Sequence, residues 1–139
     1  MNDTLSLDYQ IFHQRLVSEL LVLVKNCAPF VASDEHAPAA EDLVFVSHLD
    51  TLSTNLNASE QGYPLGQWVI TTIIARYPHL TTSVPRDLFW FFGGDCLHYL
   101  GEEEIVLFQR LDESYHVQDS ETEVLQPYET MRMTIFGLH

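Results

Sequence analysis

Basic side chains are scarce. Six Lys and Arg stand against 20 Asp and Glu, leaving a formal net charge of -14 over 139 residues. With a pI near 4.5 the chain repels polyanions, so direct binding to nucleic acid or to an anionic membrane is not expected. Long apolar runs are missing too: nothing approaches the ~20 residues a membrane-spanning helix needs. The first nine residues have no basic start ahead of an apolar stretch, so a secretory signal is not expected and the reading is a cytoplasmic protein. There are two cysteines, Cys27 and Cys96, and neither belongs to a Cys-x-x-Cys pair. Apolar-flanked thiols in a chain without an export signal read as free and buried. A phosphate loop and a Gly-x-Ser-x-Gly elbow are also absent, which removes the signatures of nucleotide hydrolysis and of serine-based acyl transfer.

What is present suffices to fold. Apolar residues make up 46% of the chain, which places it outside the disordered class, and the length fits one domain. No repeat or low-complexity segment interrupts it. Phe12, Leu16, Leu20, Leu23 and Cys27 recur every three or four positions, so 7–28 is expected to be a helix ended by Pro29. Leu43, Val46, Leu49, Leu52 and Leu56 make the stripe of a second helix over 41–56, with Glu41 and Asp42 at its positive end. Residues 65–77 are ambiguous. Their β-branched run suits a buried strand, but Leu65, Trp68, Val69, Thr72, Ile73, Arg76 and Tyr77 fall on one helical face, Pro64 fits a first turn, and no partner strand is in sight. Further helices are expected over 85–100, closed by Gly101, and over 102–117, led by three glutamates. The fold class is therefore all-α: a compact single-domain bundle of about five helices spanning 1–139, with 118–139 less regular.

The segment from Arg86 to Leu100 is the densest in information. Phe89, Trp90, Phe91 and Phe92 would cover every side of a helix, so that helix should be central. Trp90, Gly93 and Gly94 are expected to be structural. Two glycines in mid-helix each cost roughly 1 kcal/mol relative to alanine, and a close approach of another helix to the backbone would account for them. This run resembles a group of small uncharacterised proteobacterial proteins that share an Arg-Asp-Leu-aromatic-Trp-Phe-Phe-Gly-Gly-Asp-Cys-Leu-His segment followed by acidic residues. The resemblance covers about residues 78–111 and carries no catalytic residue across. Some members are labelled dehydrogenases. Here there is no Gly-x-Gly-x-x-Gly after a strand, no alternating βα pattern and no acidic residue placed for a ribose.

Two readings of function compete. Nine of the 20 carboxylates lie between Glu102 and Glu129, where Arg110 is the only Lys or Arg. So acidic a region suits a protein partner with a basic surface, and Glu102, Glu103, Glu104, Asp112 and Glu113 are the expected contact residues. Protonating all seven histidines would halve the charge to -7, so such an association should respond to mild acid. On this reading the chain is a non-enzymatic binding or regulatory protein that needs no cofactor; a nucleic-acid mimic is a weaker variant. The alternative is a metal- or cofactor-binding helical enzyme centred on Asp95 and His98, three apart and hence on one helical face. Helical di-iron sites use a comparable Glu-x-x-His step, but twice and with two further glutamates. Here the second half is missing: His48 and Asp50 are two apart and diverge. Cys96 and His98 diverge for the same reason, so adjacency makes no nucleophile–base pair.

Overall fold

In a computed structural model, residues 3–137 are described apart from 55, 57, 58, 120, 122 and 123. Glu123, counted in the acidic run above, thus lies outside the described residues. The first apolar stripe makes α1, Asp3–Lys25, which buries Leu5, Phe12, Val17, Leu20, Leu21 and Val24. It packs against α2, Ala40–Thr54, whose Phe45, Leu49 and Leu52 are fully enclosed. Asp42 in its first turn accepts a hydrogen bond from the Ala39 amide at 3.0 Å, satisfying one of the free N–H groups at the helix start.

The ambiguous segment is helical. It forms α3, Ser59–Arg76, which starts earlier than expected and leaves Pro64 inside rather than at the first turn. Val69, Ile70 and Ile73 point into the core while Trp68 stays at the surface. A 3-10 helix over Pro78–Ser83 follows.

The expected long helix over 85–100 does not form. Helix α4 covers only Arg86–Phe92, and a 3-10 helix takes over from Gly94 to Tyr99. The break falls on the glycine pair, with φ at +65° for Gly93 and +56° for Gly94. Side chains other than hydrogen strongly disfavour that region, so these glycines turn the chain rather than sit in mid-helix. Close helix approach is found at Gly94, where a Cβ would lie 2.7 Å from the Gln67 side chain of α3, and also at Gly66 of α3, where a Cβ would run into the Phe92 ring. Gly101, expected to close the preceding helix, instead opens the next one, and its amide donates to Glu104 Oε1 at 3.0 Å.

That next helix is α5, Glu102–His116, and α6, Tyr128–Ile135, completes the fold. Among the described residues there are six α-helices and two 3-10 helices and no strand, more pieces than the five expected. The difference comes from the glycine break, the turn after Pro78 and the short α6 within 118–139. One hydrophobic cluster draws on all six α-helices. No described helix is long and apolar enough to cross a membrane. Cys27 and Cys96 are both free, Cys96 buried and Cys27 half-buried.

Candidate functional site

Polar side chains from four helices meet where α1, α4, α5 and α6 come together. Asp112 of α5 is the hub. Its carboxylate accepts from Trp90 Nε1 at 2.8 Å, from the Tyr9 hydroxyl at 3.1 Å and from the Tyr128 hydroxyl at 3.3 Å. Beside it, Asp8 of α1 accepts from the Tyr115 hydroxyl at 2.6 Å and from the Tyr128 amide at 2.8 Å. Arg132 of α6 reaches Asp87 of α4 with two bonds, Nε to Oδ2 at 2.6 Å and Nη2 to Oδ1 at 2.9 Å; the Asp87 side chain is only 4% exposed. Bidentate guanidinium–carboxylate geometry of this kind is what a buried charge requires. Burial and the neighbouring carboxylates push the phenols of Tyr9, Tyr115 and Tyr128 well above the usual tyrosine range, so they remain hydrogen-bond donors throughout the accessible pH range.

His13 lies within this network and is fully buried. Its Nδ1 is 2.7 Å from the Tyr9 carbonyl. A carbonyl only accepts, so Nδ1 carries the proton and Nε2 presents a lone pair. That lone pair has no hydrogen-bond partner among the described residues. Burial lowers the imidazole from 6.5 to about 4, while the Tyr9 carbonyl and the Asp87 charge pull the other way. The ring stacks on Phe91 with centroids 4.3 Å apart.

On the cavity side of Phe91 the surface opens into a hollow of about 260 Å³ lined by Ser6, Tyr9, Gln10, Leu56, Tyr63, Phe91 and His116. Tyr63 stands 5.3 Å from Phe91 and Phe91 5.8 Å from Tyr9, centroid to centroid, each pair tilted. His116 meets Tyr9 edge-on at 4.9 Å.

The residues singled out in the sequence are dispersed. Asp95 and His98 lie on the second 3-10 helix with Oδ1 and Nε2 3.9 Å apart, both strongly exposed. Among the described residues no group of three His, Cys, Asp or Glu side chains is placed to hold a metal ion. Arg86 turns from that pair to grip both carboxylate oxygens of Glu104, at 2.6 and 2.9 Å, and the Tyr99 carbonyl. This hydrogen-bonded pairing holds the Glu104 carboxyl below the usual carboxylate range. Glu102, Glu103 and Glu113 are exposed, whereas Asp112 is committed to its three internal donors. Trp90 is half-buried, bonded to Asp112 and stacked on Phe108 at 5.8 Å. Gly93 and Gly94 make the turn described above. Sequence reasoning missed Asp8, His13, Asp87, Tyr128 and Arg132. The one local signal was a histidine and a tyrosine, His13 and Tyr9, set in the apolar stripe of the first helix.

These features define an all-helical, single-domain protein with a partly buried tyrosine–carboxylate hub and an aromatic hollow beside it. The chain belongs to the PA2817-like family, whose model matches residues 5–135, well beyond the 78–111 stretch that carries the sequence resemblance. The search of curated proteins and the search of solved structures each return no match.

Proposed function

We propose that the protein is a non-enzymatic binding module that docks onto a basic protein partner through the outward side of α5. The observation that carries this reading is the mixed character of that side. Val106 is 60% exposed and Val117 76%, and Glu103, Val106, Arg110, Glu113 and Val117 recur at three- and four-residue steps along one exposed face. Next to Val106, a shallow depression is lined by Glu102, Glu103, Val106 and Leu107. Exposed apolar side chains flanked mainly by carboxylates, with Arg110 the one cation on the face, suit a partner that brings cations around an apolar contact. Glu104 and Asp112 are occupied internally, so the acidic contact narrows to Glu102, Glu103 and Glu113.

The test is site-specific photocrosslinking in the native host from position 106, with an exposed position on α2 such as Val44 as control. A partner captured from position 106 alone is then purified. Replacing Glu102, Glu103 and Glu113 by Lys should weaken its binding at least about tenfold at low salt and flatten the salt dependence. An unchanged dissociation constant and salt slope would sink the proposal.

A further inference from the structure

The hollow next to the hub shares no lining residue with the depression on α5, and its chemistry is different. Three aromatic rings, Tyr9, Phe91 and Tyr63, follow one another around its wall, with His116 closing against Tyr9. One face of Phe91 is covered by His13, so the ring offers the cavity its other face or its edge. Among the described residues no Lys or Arg lines the space; Ser6 and Gln10 supply neutral polar groups.

The charge behind the wall is negative. Tyr9 donates its hydroxyl to the Asp112 carboxylate, and a phenol hydrogen-bonded to an anion holds a more electron-rich ring. Burial, and after it the same carboxylate, raise the Tyr63 phenol, so Asp112 acts on both tyrosines. Aromatic faces attract cations through their quadrupole, more strongly where water is displaced. A volume of about 260 Å³ holds a small organic molecule and leaves little room for a nucleotide. Tyr63 is 45% exposed, a large ring left at the mouth where a ligand would cover it.

We propose that the cavity formed by Tyr9, Tyr63, Phe91 and His116 is a binding site for a small alkylated ammonium compound, held by aromatic faces backed by the Asp112 carboxylate. Size and apolar character favour an ammonium carrying methyl groups over a bare one, because the walls offer few acceptors to replace its hydration shell. Anions are disfavoured by the rings and by the net charge of -14.

The test titrates the full chain at pH 8 with choline and, separately, with 3,3-dimethylbutan-1-ol, which has the same shape without the charge. Amide chemical shifts report binding. The expected result is saturable shifts for choline around Tyr63, Phe91 and His116, with the neutral alcohol at least about tenfold weaker. Replacing Tyr63 with Leu keeps an apolar wall but removes the ring. It should weaken choline about tenfold, leave the alcohol unaffected, and move the melting temperature little because the ring is half outside. Equal affinities for the two compounds would show an apolar hollow without cation recognition and overturn the proposal. So would choline binding insensitive to Tyr63→Leu, or no saturable shift up to about 50 mM.

Discussion

The contact between α2 and α3 and the junction of α1, α4, α5 and α6 hold the chain together in different ways. Between α2 and α3 the buried residues are almost all apolar: Phe45, Leu49, Leu52, Val69, Ile70 and Ile73. The polar exceptions are small: Ser53, Thr72 and Asp42 are buried, and Asp42 accepts from the Tyr77 hydroxyl at 2.6 Å; burial, with this bond, pushes that phenol up to about 12. The other junction gathers three carboxylates, an imidazole, a guanidinium and three tyrosine hydroxyls in a partly buried network. The apolar contact gains its stability from area removed from water, which is non-directional and tolerant of small shifts. The polar junction gains little net energy from each bond but loses much when one partner is removed. It specifies geometry more than it adds stability, which suits a region that also shapes a cavity.

The sharpest way to break this contrast is to remove one member of the buried ion pair. Arg132→Ala leaves Asp87 charged and enclosed, and should cost about 3 kcal/mol or more in urea denaturation. Asp87→Leu combined with Arg132→Met should cost clearly less, because no orphan charge remains. If the double variant is as unstable as the single, the pair is not acting as a desolvated charge pair.

Acid separates the two regions next. Above pH 6.5, His13 is neutral whether folded or unfolded. As pH falls towards 4 the unfolded chain takes up a proton that the folded chain refuses. Stability should therefore drop by up to about 3 kcal/mol across that window and level off below it. Asp87, Arg132 and His116 are the charged or titratable groups acting on the ring. In His13→Phe the part of the acid slope between pH 6.5 and 4 should flatten, whereas Ile73→Ala, at the apolar contact, should lose about 3 kcal/mol at both ends of the window. Equal slopes in wild type and His13→Phe would remove the imidazole from the explanation.

A smaller effect concerns close approach. Gly66→Ala places a methyl group against the Phe92 ring and should cost about 2 kcal/mol despite alanine's better helix propensity. Shrinking the ring with Phe92→Leu should make that substitution nearly neutral; persistence of the full cost would place the strain elsewhere. The smallest change in stability is expected on the outer face of α5. Glu113→Lys should shift unfolding by under about 0.5 kcal/mol, so any loss of partner binding there reads as contact chemistry.

The same contrast explains what the sequence made legible. The apolar stripe of α1 was readable because a helix repeats its buried face every three or four residues, as were Leu49 and Leu52 of α2, though Leu43 of that expected face is exposed; the strand-like run in α3 yielded to the same test. The turn at Gly93 was misread because a glycine pair in an aromatic run looks alike whether it permits close packing or a positive φ. Gly66, where packing does demand glycine, lay in a segment with nothing to mark it. Beyond His13 and Tyr9 in the first helix, the hub was not legible. Tyr9 and Asp112 are 103 positions apart, Asp8 and Tyr128 120, and no local periodicity reports such pairs. Asp112 was placed on the acidic surface because its charge was visible and its three internal donors were not.

Those separations also order events during synthesis. Helices α1 to α3 can pack through contacts already present once Arg76 has left the ribosome. Until Tyr128 and Arg132 of α6 follow, Asp87 lacks its guanidinium, Asp8 its amide and Asp112 its third donor. The hub closes last, joining Asp8 and Tyr9 of the first helix to the last described one, so a chain interrupted before α6 carries carboxylates without their full set of partners. In quality-control terms, α6 is the latch whose arrival completes the hub.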